Sequence, residues 1–395
     1  MNDVRATAAA FIVFSDDWGE HPSSCQHLFR QLLPGHRVIW VNTIGMRAPK
    51  FTLGDLRKIV LKVGKMFARR GPPARSDSSP QPEVCQPFML PFSSIGAVRR
   101  FNRRSVVRAV RRRMQALNVT RPVVVSTVPN ACDYVDCFDA ARIVYYCVDD
   151  FSRWPGLEHA LVREMEASLV AKANVLIATS RNLFAMLSAT GRSVQLLTHG
   201  VDIEHFSRIA PSEHACLSKI PTPRAGYFGL FDERSNQALL AEVARAMPDV
   251  AFVITGPVET DVASLSACAN VHFTGPLPYR ELPALIRGLE ALFIPYVVDE
   301  LTDSISPLKL KEYLVTGKPV VVTPIAEARL NPALLSLATT AQDWVSALRA
   351  ALAADAAARR AVALAALKEE SWWHKARLFE QLCRADDAMP AKSVA

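Results

Sequence analysis

Residues 290–323 read EALFIPYVVDELTDSISPLKLKEYLVTGKPVVVT and predict a strand, a helix and a second strand. The apolar run at the beginning and the β-branched run at the end are typical of buried strands. Ser306 and Pro307 predict the start of the helix, because Ser caps free amides and Pro is tolerated at the first helical position. Gly317 predicts its end. This order of elements indicates a parallel sheet.

Strand and helix patterns alternate through the rest of the chain. We predict strands at residues 9–15, 36–42, 122–127, 142–148, 174–179 and 193–198 in the first half, and at 224–229, 250–255, 270–275, 290–295, 319–323 and 334–339 in the second. Six and six strands predict an α/β protein with two doubly wound, Rossmann-like parallel-sheet domains facing a cleft. Ligands would bind beyond the carboxyl ends of the strands.

The predicted domains are an N-terminal domain at residues 1–206 and a C-terminal domain at residues 224–370. The polar stretch 207–223, which contains three prolines, predicts a linker between them. The stretch 71–91 is rich in Pro and Ser and predicts a mobile surface loop.

The chain has 395 residues and a net charge of +8. Residues 1–150 carry 22 Lys and Arg against 12 Asp and Glu, concentrated in segments 51–70 and 99–114. The first segment fits a basic amphipathic helix on an anionic membrane, with a solvated surface helix as the alternative. Both segments, 51–70 and 99–114, are predicted to contact an anionic membrane surface. Nucleic-acid binding is not expected, because no aromatic platform accompanies the charge. No apolar run approaches the roughly 18 residues that span a bilayer, so we expect a cytoplasmic chain, peripheral on the plasma membrane.

Eight cysteines are scattered along the chain without a Cys-x-x-Cys pair or a His spacing that would indicate zinc. We therefore expect buried thiols rather than metal ligands. No cofactor and no metal are predicted.

The predicted helix after Pro307 begins at the carboxyl edge of a strand, where free amides and the positive dipole end suit a phosphate. Lys309 and Glu312 lie one turn apart on it, so a cation would meet the phosphate and a carboxylate could accept ribose hydroxyls. A surface salt bridge between them, worth about 0.2–0.5 kcal/mol, is the alternative. Gly229 ends the second domain's first strand, and Arg234 follows it, where a guanidinium can pair with phosphate.

Six ordered segments resemble the nucleotide-sugar glycosyltransferases of the GT-B fold, specifically the family 4-like group (glycosyl transferases group 1). They are YYCVDDFSRWPG (145–156), THGVDIEHF (198–206), YFGLFDER (227–234), VITGP (253–257), VHFTGPLPYRELPALI (271–286) and SISPLKLKEYLVTGKPVVVT (304–323). Each is common alone, but the ordered set is specific. The first 140 residues match only in general style.

The resemblance implies a donor site in the second domain. Lys309 and Arg234 would hold the diphosphate, and Glu312 would hold the ribose. His199 and Gly200 would face the transferred sugar, where His199 is a candidate catalytic residue. The other implied donor-binding positions are Gly229, Gly256, Leu277 beside the base, and Ser304, Ser306, Pro307 and Leu308 beside the phosphate.

One position departs from the family pattern. Retaining members typically carry an acidic residue eight positions before the ribose glutamate, and this chain has Ser304 there. Glu300 and Asp303 are nearby and could substitute. The donor sugar and the stereochemical outcome therefore stay open.

A related GT-B glucuronosyltransferase of bacterial exopolysaccharide assembly carries its catalytic aspartate just after the equivalent of RIVYYCV (142–148). This similarity implies Asp149 as the general base of an inverting displacement, with Asp150 as its substitute. From position alone, the two aspartates could equally cap the following turn. The acceptor-side candidates bordering the same edge are Asp16, Asp17, His21 and His27.

The sequence thus predicts a glycosyltransferase that uses a nucleoside diphosphate sugar, UDP more often than GDP. The acceptor would be a hydroxyl of a glycan or lipid-linked molecule in bacterial surface or exopolysaccharide assembly. Proteins of this resemblance return their last helix to the first domain, which predicts this course for residues 371–395, with Trp372 and Trp373 as anchors. A nucleotide-sugar 2-epimerase of the same fold and a non-catalytic nucleotide-binding partner are the alternatives.

Overall fold

The structure is a computed structural model that describes residues 9–19, 23–43, 80–154, 156–354 and 356–384. Residue contacts divide the chain into two units. Unit 1 contains the residues up to Thr198 together with those from Lys375 onward, and unit 2 is His199–His374.

Unit 1 is built on a seven-stranded parallel sheet with strand order β3-β2-β1-β4-β5-β6-β7. Its strands are β1 Ala10–Ser15, β2 Arg37–Asn42, β3 Glu83–Cys85, β4 Val123–Ser126, β5 Arg142–Cys147, β6 Val175–Ala178 and β7 Val194–Leu196. Its helices are α1 Ser24–Leu32, α2 Gly96–Ala116, α3 His159–Lys172 and α4 Arg181–Ser188. Short 3-10 turns lie at Pro129–Asp133, Val135–Cys137 and Phe151–Arg153.

Unit 2 is built on a six-stranded parallel sheet with strand order β10-β9-β8-β11-β12-β13. Its strands are β8 Arg224–Phe228, β9 Ala251–Thr255, β10 Val271–Gly275, β11 Ala291–Ile294, β12 Val320–Val322 and β13 Ser336–Leu337. Its helices are α5 Ile203–Ser207, α6 Gln237–Ala246, α7 Ala263–Ser266, α8 Leu282–Arg287, α9 Glu300–Ser304, α10 Leu308–Val315, α11 Ala326–Arg329, α12 Ala341–Ala353 and α13 Ala356–Ala366. The last helix, α14 Trp372–Arg384, begins in unit 2 and continues in unit 1 from Lys375.

The central strands of both sheets are buried along nearly their whole length, because helices cover both faces of a parallel sheet. Their apolar residues therefore run continuously instead of alternating with polar ones. The predicted α/β class with two doubly wound parallel sheets is confirmed, and all twelve predicted strands are present.

Strand β3 corrects part of the prediction of a mobile loop at residues 71–91, of which residues 71–79 lie outside the described residues. Residues 83–85 pair in parallel with β2, so that Ile39 lies opposite Glu83 and Val41 opposite Cys85. The strand is three residues long, lies at the sheet edge and follows a proline-rich stretch. Such a segment has too few residues for a strand pattern to be recognised in the sequence.

The predicted start of helix α10 is also corrected. Pro307 is the N-cap residue, with φ −64° and ψ 124°, and the helix begins at Leu308 without a side-chain cap. The residues before it, Glu300–Ser304, form the short helix α9. Its first amides are satisfied by Asp299, which forms a reciprocal capping box with Thr302. Gly317, with φ +75°, follows the end of α10 as predicted.

The segment predicted as a linker, residues 207–223, is part of unit 2. Leu217 is fully buried in the unit 2 core. The buried guanidinium of Arg224 donates to the carbonyls of Leu217, Ile220 and Gly288, which fixes this stretch against the domain. The division between the units falls at Thr198 and His199, not at residue 206, because Phe206 packs in the same core.

Helix α14 packs its later turns in unit 1. Phe379 meets Phe29 and Tyr146 at ring-centroid distances of 5.8 Å each. Glu380 accepts from His36 at 3.1 Å. None of the helices in the described ranges is both long enough and apolar enough to cross a membrane.

Candidate functional site

The carboxyl edge of the unit 2 sheet gathers most of the predicted donor-binding residues. Strands β8 and β11 are neighbours at the centre of the sheet, where the strand order reverses. A doubly wound sheet has its ligand crevice at this position. Gly229 directly follows β8, Tyr296 follows β11, and Lys309 lies in the first turn of α10.

Lys309 is held at this edge by oxygen atoms and aromatic rings. Its Nζ donates to the carbonyl of Leu230 at 3.1 Å and to the hydroxyl of Tyr296 at 3.2 Å. The same Nζ lies 4.8 Å from the ring centroid of Tyr227. Among the residues that the structure describes, Lys309 forms no ion pair with Glu312. The surface salt bridge considered as the alternative is therefore wrong, and the groups that hydrogen-bond the ammonium are uncharged oxygens.

Gly229 and Gly256 make room for this arrangement. Gly229 has φ +115°, and a Cβ there would lie 2.3 Å from Cε of Lys309. Gly256 has φ +140°, and a Cβ there would lie 2.1 Å from the carbonyl oxygen of Gly229. No side chain fits at either position without moving its neighbour. Because Gly229 has no side chain, the side chain of Lys309 can pass directly over it to reach this edge of the sheet.

Arg234 does not stand as an isolated phosphate ligand. Its guanidinium pairs with Asp232, with Nη2 and Oδ2 at 2.6 Å and Nε and Oδ1 at 3.0 Å. It also lies 5.8 Å from the ring centroid of Tyr296. A phosphate at Arg234 would share the guanidinium with this carboxylate. Asp232 and Tyr296 were not predicted as site residues, although Asp232 lies within segment 227–234 and Tyr296 directly follows a predicted strand.

Tyr296 lies between the two cations. Burial raises the pKa of a phenol, but the positive charges of Lys309 and Arg234 outweigh this effect, and the pKa of Tyr296 lies below its usual value. The hydroxyl is a hydrogen-bond acceptor for Lys309. Tyr296 thus positions the ammonium group of Lys309 through this hydrogen bond.

Glu312 lies one turn beyond Lys309 and is partly exposed. Its carboxylate makes no hydrogen bond or ion pair with any other described residue. Burial raises the pKa of Glu312 to about 7, Lys309 opposes this shift, and the charge of Asp202 adds to it. The carboxyl group is therefore half protonated near neutral pH and has its hydrogen-bonding capacity open for a ligand.

The other predicted phosphate-side residues have mixed surroundings. Ser304 is buried, and its hydroxyl donates to the carbonyl of Leu301 at 2.6 Å, within helix α9. Ser306 is buried beside the start of α10, and Leu308 opens that helix, whose first amides have no intrahelical acceptor. Leu277 follows β10 and packs against the unit 2 core.

The loop of His199 and Gly200 is built by residues from two later parts of unit 2. Lys311 of helix α10 donates to the carbonyl of His199 at 2.6 Å and pairs with Glu370. A Cβ on Gly200 would lie 2.7 Å from the ring of Trp372. Helix α10 therefore carries Lys309 and also holds the loop of His199.

The tandem tryptophans differ in role. Trp372 is 5% exposed and packs on Gly200, whereas Trp373 is 58% exposed. Both residues belong to unit 2. The contact of Trp372 with Gly200 lies within unit 2, so the role of the two tryptophans as anchors on the first domain stays a prediction.

In unit 1, the two aspartates after β5 are separated by their contacts. Both oxygens of Asp150 are used: Oδ1 accepts from the amide and hydroxyl of Ser152 at 3.1 and 2.6 Å, and Oδ2 pairs with Arg153 at 2.8 Å. Asp150 therefore has the turn-capping role that was the alternative to catalysis. Asp149 is partly exposed at the same edge, and its carbonyl accepts from Sγ of Cys147.

Asp16 is likewise engaged in structure. Its Oδ1 accepts from the hydroxyls of Ser15 and Ser23 at 2.7 and 2.9 Å, and its Oδ2 accepts from Gln26. Ser23 is the N-cap of α1, so Asp16 fixes the start of that helix. His27 is buried within α1.

The two remaining acceptor-side candidates are Asp17 and His21. Asp17 is partly exposed beside Asp16 at the end of β1. His21 lies outside the described residues.

No group of three or more His, Cys, Asp or Glu side chains in the described ranges is arranged to hold a metal ion. The eight cysteines are free thiols, and most are buried. The expectation of a metal-free site stays a prediction.

Fold and family model together define the class. Residues 222–354 match the family model described as glycosyl transferases group 1, and they form most of unit 2. The whole chain shares its fold with sucrose-phosphate synthase from Thermosynechococcus elongatus, with a TM-score of 0.67, 15% identity and coverage of 95% of this chain and 98% of that one. The structure of HepE from Anabaena in complex with UDP and glucose gives a TM-score of 0.62 at 14% identity, covering 94% and 98%. The chain has the GT-B fold, and its residues 222–354 match the group 1 family model, in agreement with the resemblance.

Two curated proteins are similar to part of this chain in sequence. TuaH of Bacillus subtilis (strain 168), named for a teichuronic acid biosynthesis glycosyltransferase, is 28% identical over 173 residues, which are 41% of this chain and 43% of that protein. The 2-deoxystreptamine glucosyltransferase of Streptomyces kanamyceticus is 28% identical over 205 residues, covering 46% and 51%. The chain thus spans about half the length of the curated relatives it matches.

Proposed function

We propose that the protein transfers a sugar from a nucleoside diphosphate donor to a hydroxyl acceptor. The position of Lys309 carries the proposal. This partly buried cation has no ion-pair partner among the described residues and lies at the carboxyl edge of the sheet in the part of the chain that matches the group 1 glycosyltransferase family model. A diphosphate supplies the missing negative charge. UDP is the expected nucleotide, since the HepE structure contains UDP and glucose.

The reaction breaks the bond between the anomeric carbon and the diphosphate oxygen and forms a bond from that carbon to the acceptor oxygen. Lys309 and the free amides at the start of α10 would stabilise the negative charge of the leaving diphosphate. Glu312 would accept hydrogen bonds from the ribose hydroxyls. The proposal requires neither a cofactor nor a catalytic metal, because the protein's own cations take this role.

Asp149 is the proposed general base, and it would take the proton of the acceptor hydroxyl as the new bond forms. Its neighbour Asp150 is engaged by Ser152 and Arg153, so the proposal assigns the base to Asp149 and not to Asp150. Asp17 stays an acceptor-side candidate.

The proposed acceptor is a glycan or lipid-linked hydroxyl in bacterial surface polysaccharide assembly. The similarity to TuaH, whose name refers to teichuronic acid biosynthesis, supports this acceptor class. A lipid-linked acceptor requires contact with a membrane, and we include peripheral association with an anionic membrane surface in the proposal. The predicted membrane segment at residues 51–70 lies outside the described residues.

The donor site is tested by calorimetric titration with a panel of UDP-, GDP- and dTDP-sugars. Lys309→Ala should weaken binding of the preferred donor about 10- to 100-fold, because a hydrogen-bonded charge contributes roughly 1.5–3 kcal/mol. Lys368→Ala, at an exposed position of unit 2, is the matched control and should bind like wild type. If no nucleotide sugar bound to wild type, or if Lys309→Ala bound as tightly, the proposal would be wrong.

A further inference from the structure

Helix α2 carries the densest positive charge of the described residues. The residues Arg100, Arg104, Arg108 and Arg112 are exposed and follow one another at intervals of four along the helix. Residues four apart lie on the same side of a helix, so the four guanidinium groups form one stripe. At 1.5 Å per residue the stripe is about 18 Å long.

The stripe is not neutralised by the protein. Elsewhere on α2, Arg99 pairs with Asp133 at 2.7 Å and Arg113 pairs with Glu83 at 2.5 Å. The four arginines of the stripe have no hydrogen bond or ion pair with any other residue in the described ranges. Like charges four residues apart destabilise a helix by about 0.2–0.5 kcal/mol per pair. An external anionic partner would relieve this repulsion.

A wide concavity lies along the stripe. It has a volume of about 970 Å³ and is lined by six arginines of α2 and, on the facing side, by Cys137 and the two carboxylates Asp136 and Asp139, so the arginines are in excess. Arg111 donates to the carbonyl of Cys137 at 2.9 Å and Arg103 to its Sγ at 3.3 Å, which fixes this wall. Several anionic groups can therefore be bound side by side along the helix.

Two exposed aromatic rings border the stripe. Phe101 is 44% exposed and Phe88 is 41% exposed, and their ring centroids are 6.1 Å apart at an interplanar angle of 86°. Phe101 precedes Arg104 by three residues and Arg108 by seven, so it lies on the same side of α2. Ile95, the N-cap residue of this helix, is 51% exposed. Exposed apolar side chains next to uncompensated arginines are typical of helices that lie in the interface of an anionic membrane.

We infer that the surface formed by Phe88, Phe101, Arg104, Arg108 and Arg112 docks unit 1 on an anionic lipid bilayer. The phenylalanines enter the headgroup region, and the arginines bind the lipid phosphates. Nucleic acid fits less well, because the two rings stack on each other edge to face and do not present parallel faces to bases. The inference deepens the proposed function and rests on it for the purpose of docking, which is access to a lipid-linked acceptor.

Co-sedimentation with vesicles of phosphatidylglycerol and phosphatidylcholine tests the docking surface. Wild type should bind phosphatidylglycerol vesicles and not pure phosphatidylcholine vesicles. Combined R104E, R108E and R112E should weaken binding on the order of 100-fold, since each arginine near such a surface contributes about a factor of 5 to 10. The control with R163E, R181E and R245E has the same net charge and changes exposed arginines away from α2. It should retain most of the binding.

The aromatic pair is tested by salt. Electrostatic attraction is screened at high ionic strength, but insertion of apolar rings is not. At 0.5 M salt, wild type should keep a residual affinity that Phe88→Ser with Phe101→Ser loses. Inorganic pyrophosphate in excess should not displace wild type from vesicles, and displacement would identify a soluble phosphate site instead.

Three results would overturn the inference. They are failure of wild type to bind phosphatidylglycerol vesicles at 0.1 M salt, equal binding by the arginine variant, and selective loss of DNA binding with vesicle binding unchanged. Titration with the nucleotide sugar in the absence of vesicles tests the proposed donor site independently of the docking surface. The arginine variant should bind the nucleotide sugar like wild type, whether or not the docking surface is correct.

Discussion

The two sheets share the order of their first six strands, but their carboxyl edges carry side chains of opposite charge. In unit 2 the edge holds cations next to phenol rings, and its glycines leave space for Lys309. In unit 1 the edge holds aspartates, and Asp16 and Asp150 are satisfied by hydroxyl, amide and guanidinium donors. One edge therefore suits an anionic group, whereas two of the carboxylates at the other edge are used to hold its turns together. A doubly wound sheet fixes where such residues lie, and the side chains decide the chemistry.

The largest effect is expected on the unit 1 side. Asp149→Asn keeps the shape of the side chain and removes the base, so transfer should fall about 10²- to 10⁴-fold with the donor Kd unchanged. Initial rates and donor titration measure the two quantities separately. Asp150→Asn is the neighbouring comparison, and it should lower the stability of the turn, because Arg153 loses its partner. Full transfer activity in Asp149→Asn would remove this residue from the mechanism.

A smaller effect is expected at Gly229. Its replacement by Ala strains the backbone and pushes Lys309 away from Leu230 and Tyr296, so donor affinity should fall roughly 10-fold. Gly191→Ala is the matched control, because Gly191 also has positive φ but has no atom within 4 Å of the added Cβ.

A double-mutant cycle decides whether Gly229 acts through Lys309. In a Lys309→Ala background, Gly229→Ala should change the donor Kd little, because the displaced ammonium is already absent. Additive losses in the double variant would show that Gly229 contacts the donor itself. Titration of the four proteins with the preferred nucleotide sugar completes the cycle.

The smallest effect concerns Glu312, which lacks the donors that satisfy the unit 1 aspartates. Its pKa is raised from 4.5 to about 7, so the folded protein binds more protons than the unfolded chain between these values. The protonated carboxyl contributes stability that is complete below pH 4.5 and is lost as pH rises through 7. Glu312→Gln stays neutral and should be more stable than wild type by about 1–3 kcal/mol at pH 8, with little difference at pH 4.5. Urea unfolding at both pH values measures this, and parallel stability profiles would contradict it.

Local sequence patterns predicted most of the fold. Runs such as those of β11 and β12 are continuous and apolar, and Gly317 ends a helix through its own backbone conformation. The three-residue strand β3 could not be predicted, because its strand character depends on pairing with β2. The same holds for residues 207–223, whose place in unit 2 depends on contacts of Arg224, including one to the distant Gly288.

The candidate site was predicted in its positions more than in its contacts. The sequence placed Lys309 and Glu312 one turn apart, but the partners of Lys309 are Leu230 and Tyr296, which lie in the segments after strands β8 and β11. Asp232 beside Arg234 has no signal beyond a charge two residues away. Asp150 could be assigned to its turn only once Ser152 and Arg153 were seen to bind it. Partners far apart in sequence are set by packing, which no local pattern encodes.

The packing of Trp372 against Gly200 has a consequence for biosynthesis. During translation, His199 and Gly200 leave the ribosome long before Glu370 and Trp372, and domains fold as their residues emerge. The loop of His199 therefore waits for a ring and a carboxylate that are made much later, while strands β8 to β13 can already pair. A nascent chain that contains every residue of the unit 2 sheet still lacks Glu370 and Trp372, so the loop of His199 is completed after the sheet that supports it.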